Sequence, residues 1–273
     1  MLLFLGIYGS KNKTFTHPKS FGLGFFYTIM RKILAYIPSA IYQFTFFILL
    51  LIFHPIQWLC LKLGGYEAHK KSVDILNFFL VYSIYLLGSK ISFRNNKNIP
   101  ENAPLIIVSN HQSVNDIPAM IWFLRKYHPK FVSKKELGKG IPSISFNLKH
   151  GGSVLIDRKD AKQAITEIAK LGKYIEANNR SAVIFPEGTR SRNGIPKRFS
   201  PNGLKMLVKY APSAYVLPIT VNNSWKILKY GKFPNDIGVN LTFDVHEPIK
   251  ADSMKFNELF EHVETTIKAS VIV

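Results

Sequence analysis

Leu105-Ile106-Ile107-Val108-Ser109-Asn110-His111-Gln112-Ser113-Val114-Asn115-Asp116 is the stretch that decides the fold of this chain. Four consecutive aliphatic residues read as a strand buried on both faces, the signature of a parallel sheet covered by helices. Polar residues follow at once, where such a strand gives way to a helix. A second stretch repeats the plan: Ala182-Val183-Ile184-Phe185 is another buried strand, and Pro186-Glu187-Gly188-Thr189-Arg190 follows it. Open α/β sheets keep their ligand sites just past the carboxyl ends of strands, so both polar strings are candidate site segments.

Outward from these two strands the pattern alternates. Ile117 to Tyr127 reads as a helix, Lys130 to Ser133 as a short extended piece, Gly138-Lys139-Gly140-Ile141-Pro142 as a loop, and Ser153 to Asp157 as a strand. Ala161, Ala164, Ile165, Ile168, Leu171 and Ile175 recur at helical spacing before the strand at 182–185. Tyr215 to Val221 and Val239 to Val245 are β-rich, and Phe256, Leu259, Phe260, Val263 and Ile267 mark a closing amphipathic helix. The expectation is an α/β domain over residues 90–273, with a mixed, largely parallel sheet flanked by helices.

Residues 1–89 differ in kind. A tail over 1–30, rich in Phe and Leu, precedes a segment over 31–89 that reads as a membrane-associated helical pair. No Asp, Glu, Lys or Arg occurs from Ile33 to Leu61 or from Ile75 to Ser89. Pro38 and Pro55 bracket the first run at a helical length of about 24 Å, and the second covers about 22 Å, against a hydrocarbon core of about 30 Å. Neither run spans comfortably. Arg31 and Lys32 precede the first run, while Lys62, Lys70 and Lys71 separate the two. Positive charge at both ends favours a hairpin dipping into one leaflet, with the domain on the cytoplasmic face, which is the inner membrane in a bacterium. A single tilted span over 33–61 and a buried helical pair of a soluble protein are the two alternatives. The run starts too late and is too long for a cleavable signal peptide.

Composition narrows the partners. Lys and Arg number 36 against 17 Asp and Glu, a net charge of +19, so a polyanionic partner is expected. No acidic residue occurs from Gly188 to Asn235, while Lys205, Lys209, Lys226 and Lys229 are interleaved with Leu204, Met206, Leu207, Trp225, Ile227 and Leu228. Such a face suits an anionic membrane surface, and the uncharged 33–61 run argues against nucleic acid. Cys60 is the only cysteine, which excludes an internal disulfide and a cysteine-based metal cluster.

The chemistry concentrates in the two polar strings. His111 at a strand exit can take a proton from a hydroxyl, and Asp116 at the start of the next helix can fold back onto one ring nitrogen and fix the tautomer. Helix capping is the bland reading of Asp116. Arg190 and Arg192, with Arg158 after the strand at 153–157, are forked cations at strand exits and suggest one phosphate pocket. Glu187 can position a cation or a substrate hydroxyl, and Gly188 lets the chain turn. GxSxG, P-loop, HExxH and GxGxxG patterns are absent. Metal ligation by His111 and Asp116 stays open, though no third ligand is evident and no metal is expected.

Asn110-His111 with four residues before Asp116, then Val154-Leu155-Ile156-Asp157-Arg158, then Phe185 to Arg190, then Val216-Leu217-Pro218-Ile219 resemble the four ordered blocks of the 1-acylglycerol-3-phosphate acyltransferase (PlsC-like) family of glycerolipid acyltransferases. The resemblance covers residues 90–250 and implies transfer of a fatty acyl group from acyl-CoA or acyl-carrier protein to the free hydroxyl of a lysophospholipid, giving phosphatidic acid when that acceptor is lysophosphatidic acid. It implies His111 as general base, Asp116 as its orienting partner, Arg158 and Arg190 as phosphate-binding, and Glu187, Gly188 and Thr189 as shaping the acceptor site. Asn110, Lys134, Lys135 and Arg192 complete the candidate set. No cofactor is implied beyond the acyl thioester as co-substrate. Another lysophospholipid or a lyso-aminolipid is the alternative acceptor, and a non-catalytic protein gripping anionic membrane is the alternative of a different class.

Overall fold

The structure, a computed structural model, describes residues 19–272; residues 1–18 of the expected tail lie outside them. The chain begins with α1 (Lys19–Leu34) and α2 (Tyr36–Tyr82). Then come β1 (Lys90–Arg94), β2 (Leu105–Ser109), α3 (Asp116–Phe123), β3 (Pro129–Lys134), α4 (Ile144–His150), β4 (Val154–Ile156), α5 (Ala161–Asn178) and β5 (Ser181–Ile184). The last elements are α6 (Pro201–Tyr210), β6 (Tyr215–Asn222), β7 (Asn240–Val245), β8 (Ile249–Lys250) and α7 (Phe256–Ala269).

The strands form one sheet in the order β1-β7-β6-β2-β5-β3-β4, with β8 pairing β6. The run β6-β2-β5-β3-β4 is parallel throughout, whereas β7 and β8 lie antiparallel to β6. β2 is central, and all five of its residues are buried. Its side chains alternate between two cores, as strand geometry requires. Leu105 and Ile107 join Val183, Leu217 and Ile219 under α2 and α3. Ile106 and Val108 join Ala182, Ile184 and Val216 under α5, α6 and α7. The mixed, largely parallel sheet expected from sequence is therefore present. β1 and β8 are additional to the strands expected, as are α4 and α6 to the helices. The helix expected over Ile117 to Tyr127 stops at Phe123, and a short 3-10 turn carries the chain to Tyr127.

α2 is two arms joined at a break. Gly65 has φ 63° and ψ −152°, a conformation open to glycine alone, and it turns the chain between residues 36–64 and 66–82. Leu50 and Phe53 of the first arm pack on Leu76 and Leu80 of the second, with the Phe53 and Phe79 rings 6.1 Å apart. The helical pair is present, but the prolines do not bracket its first arm. Pro38 sits in the first turn of α2, where its missing N–H costs nothing, and the helix runs on through Pro55. Residues 36–64 as helix cover about 43 Å, so length does not prevent crossing.

The packing of the arm does set its direction. Tyr42, Leu50, Phe53 and Gln57 recur at helical spacing and are buried against the domain and the second arm. Ile37, Ile41, Phe44, Phe47, Leu51 and Ile52 face outward and are exposed, as are Phe25, Phe26, Ile33 and Leu34 of α1. The segment Gly24–Leu87 is the one helical stretch among the described residues apolar enough for a membrane, and 17% of its most apolar window is buried. An exposed apolar face this extensive marks association with a membrane or a partner. One side of the arm is docked along the folded domain, and the other presents the exposed apolar face.

The basic stretch after Gly188 differs from expectation. Leu204 and Leu207 of α6 and Ile227 are fully buried in the two cores, so these apolar residues do not share a lipid-facing surface with Lys205 and Lys209. Helical periodicity explains the difference: α6 turns Leu204 and Leu207 inward and its lysines outward.

Candidate active site

Both polar strings leave the sheet at one edge, since β2 and β5 are adjacent and parallel. His111 stands in the turn between β2 and α3 with a partly exposed side chain, and Asp116 opens α3 fully buried. His111 Nδ1 donates to Asp116 Oδ2 at 2.8 Å. The same oxygen accepts the backbone N–H groups of Gln112 at 2.7 Å and Ser113 at 2.9 Å. Asp116 is not a helix cap, since its N–H donors Gln112 and Ser113 precede α3; the carboxylate satisfies N–H groups of the turn while it holds the imidazole. With Nδ1 engaged, Nε2 is the nitrogen left as acceptor. The Phe185 ring stacks on the imidazole, centroids 4.1 Å apart and planes inclined by 20°, and fixes its other face.

Glu187 ties the second string to the first. Its Oε1 accepts the His111 backbone N–H and its Oε2 accepts that of Lys197, both at 2.8 Å. Ser191 N–H donates to the His111 carbonyl at 2.8 Å. Burial pushes the Glu187 carboxyl above its usual range, and the two backbone donors pull it back. Both oxygens serve the chain itself, so Glu187 organises the loop around His111 rather than facing a cation or a hydroxyl. Gly188, with φ 67°, closes the turn on the Phe185 carbonyl, and it and Thr189 are exposed at the edge.

Asn110 is fully buried. Its amide donates to the Val221 carbonyl at 2.8 Å and accepts the Val221 N–H at 2.7 Å. This extends the β2–β6 ladder by one side-chain rung and seats His111 at a fixed height.

The cations are not gathered at a point. Along the carboxyl edge β2 is followed by β5, β3 and β4, so His111, then Arg190 and Arg192, then Lys134 and Lys135, then Arg158 stand in a row. At about 4.8 Å per strand the row extends roughly 14 Å from the exit of β2. All five cations are exposed, and none is in a salt bridge with a described residue. Arg190 leaves the strand next to His111, and Arg158 leaves one three strands away.

Sequence reasoning did not give Phe185 a role, and it missed Tyr42 and Ser224. The Tyr42 hydroxyl donates to Asn115 Oδ1 at 2.8 Å, joining the first arm of α2 to the turn that carries His111. Ser224 Oγ lies 2.5 Å from Asp116 Oδ1. Neither has a local signal, because each partner is far away in the chain.

A paired imidazole and carboxylate thus stand at the edge of a parallel sheet, beside a row of exposed cations. Residues 90–222 match the family model Acyltransferase. It is 38% identical over 135 residues to a 1-acyl-sn-glycerol-3-phosphate acyltransferase of Helicobacter pylori, covering 46% of this chain and 54% of that one. A protein of the same description from Borreliella burgdorferi is 29% identical over 191 residues, covering 70% and 73%. The chain thus spans about half the length of the Helicobacter relative and more of the Borreliella one. The crystal structure of the 1-acyl-sn-glycerophosphate acyltransferase PlsC from Thermotoga maritima superposes with a TM-score of 0.73 at 24% identity, over 88% of this chain and 95% of that one. At that identity the likeness speaks for the fold.

Proposed function

We propose that this protein transfers a fatty acyl group from an acyl thioester to the free hydroxyl of 1-acylglycerol-3-phosphate, forming phosphatidic acid at a membrane surface. The observation that carries the reading is the 2.8 Å bond from His111 to Asp116, which leaves Nε2 free at the sheet edge. His111 Nε2 takes the hydroxyl proton as the oxygen attacks the thioester carbonyl; the C–S bond breaks, and the departing thiolate receives a proton. A thioester is already activated, so no cysteine or serine nucleophile is needed, and the sequence supplies none in this role. General-base assistance contributes about 10²- to 10⁴-fold, and holding the two reactants together contributes more. Arg190 precedes Ser191, whose N–H reaches the His111 carbonyl, and holds the acceptor phosphate, while Lys134, Lys135 and Arg158 extend the positive edge toward the phosphates of acyl-CoA or the acidic surface of acyl-carrier protein.

The exposed faces of α1 and the first arm sit in the cytoplasmic leaflet, where an amphiphilic acceptor and product already reside. Offering detergent-solubilised protein a panel of lysolipids with acyl-CoA and with acyl-carrier protein, and weighing the products, tests head group and donor together. Phosphatidic acid is the expected product. Arg190→Glu is expected to raise KM for the phosphomonoester acceptor, and equal use of a neutral lysolipid would overturn the phosphate assignment.

A further inference from the structure

Asp116 is fully buried, and its two oxygens are held in different ways. Oδ2 has three N–H donors: His111 Nδ1, Gln112 N and Ser113 N. Oδ1 has only hydroxyls, Ser224 Oγ at 2.5 Å and Ser113 Oγ at 3.4 Å. Ser113 Oγ also lies 2.5 Å from Ser224 Oγ and accepts the Asn115 N–H at 3.0 Å. The carboxylate only accepts, so Ser224 gives its one proton to Oδ1 at 2.5 Å, which leaves Ser113 to give its own to Ser224 rather than to Oδ1 at 3.4 Å. Asn115 N–H donates to Ser113, Ser113 donates to Ser224, and Ser224 donates to the carboxylate. A chain of donors pointing one way strengthens its last member, and that member carries the charge-assisted bond.

Ser224 reaches this place from 108 residues away in sequence. β6 lies beside β2, and at its end Asn223 takes a left-handed conformation with φ 63°, which turns Ser224 back under the start of α3. Ser224 is fully buried, so no water competes for the bond.

We propose that Ser224 is a positioning residue for the proton transfer: its hydroxyl locks the plane of the Asp116 carboxylate and, through it, the direction of His111 Nε2. The proposal rests on the reading of His111 as the base. Without the Ser224 donor, Oδ1 keeps only the longer contact to Ser113, and the carboxylate turns more readily about its last bond, bringing Oδ1 toward the backbone donors now on Oδ2. The hold on the imidazole then loosens, while groups that touch substrate are unchanged.

Four measurements test it on the full chain in detergent. Ser224→Ala is expected to lower kcat about 10- to 100-fold, the worth of a buried bond to a charged group, with KM for both substrates within about two-fold. Ser224→Thr keeps the hydroxyl and is expected to recover most of kcat. In an Asp116→Asn background, Ser224→Ala is expected to remove nothing further, because the two act as one unit. With histidine-labelled protein, the His111 Nδ1 proton, assigned by its loss in His111→Ala, is expected to be protected from exchange in the wild type and in Ser224→Thr, and exposed in Ser224→Ala. An unchanged kcat and an unchanged proton in Ser224→Ala would overturn the proposal, as would equal losses in the Ala and Thr variants that track their melting temperatures. If the wild type makes no phosphatidic acid but the proton still depends on Ser224, the functional reading fails and the positioning role stands.

Discussion

At the scale of single residues, the site separates side chains aimed at a substrate from side chains aimed at the chain. His111 has one ring nitrogen bound and one free, while Asn110 and Glu187 spend their polar side-chain atoms on backbone groups of Val221, His111 and Lys197. Asn110→Ala is therefore expected to show its main effect in thermal or denaturant unfolding. Two buried backbone groups of Val221 lose partners, at a cost of about 1 to 3 kcal/mol each at most. Glu187→Gln is expected to lower both stability and kcat, since an amide nitrogen turned toward either backbone N–H cannot accept it. An enzyme of normal stability that had lost only acceptor binding would instead place Glu187 at the substrate. His111, Asp116 and the cations were legible in sequence because spacing within one short string reports on local geometry. The partners of Asn110, Glu187 and Ser224 were not, because they are backbone atoms or side chains brought in by strands far away in the chain.

Among elements, the hairpin depends on one backbone conformation. An added Cβ at Gly65 meets nothing within 4 Å, so the cost of Gly65→Ala is backbone strain alone, about 1 to 3 kcal/mol. The variant is expected to melt lower and to protect the 66–82 arm less in hydrogen exchange, whereas unaltered protection would deny the turn its role. Tyr42→Phe is expected to cost about 1 to 3 kcal/mol and to lower kcat modestly, since it leaves Asn115 Oδ1 without its donor inside the turn bearing His111. The sequence revealed two apolar arms but put the ends of the first at prolines. A proline removes one N–H, and an apolar environment keeps the remaining backbone hydrogen-bonded, so the helix persists through Pro55. Only glycine makes the reversal. In the same way Ser200 and Pro201 are start signals for α6, yet its cations drew the reading toward a surface patch while its leucines pack the core.

Across the whole molecule, the second arm is fastened to the domain by a partly buried cluster that is sensitive to acid. Burial lowers His69 and His128 to about 4, helped by the charge of Lys130 at His69 and of Lys70 and Lys130 at His128. Burial, Arg180 and Lys70 lower Lys130 to about 7. For the histidines the unfolded chain binds protons from about pH 6.5 downward while the folded protein binds them only near pH 4, so stability is expected to fall as pH drops through that window. For Lys130 the unfolded chain is protonated below about 10.5 and the folded protein below about 7, so stability is also lost from pH 10.5 down to 7 and then levels. Melting curves from pH 4 to 8 check the first window, and His69→Leu is expected to flatten the slope; an unchanged slope would free His69 of that role. The net charge of +19 and the exposed face of α1 and α2 act together, so binding to anionic vesicles is expected to weaken with salt without vanishing. The central claim is that the imidazole of His111 removes the proton from a lipid hydroxyl, and the most direct test compares turnover and substrate binding in wild type and His111→Ala with lysophosphatidic acid and an acyl thioester. Turnover is expected to fall about 10²- to 10⁴-fold with lysolipid binding intact; a His111→Ala protein that forms phosphatidic acid at the wild-type rate would contradict the account.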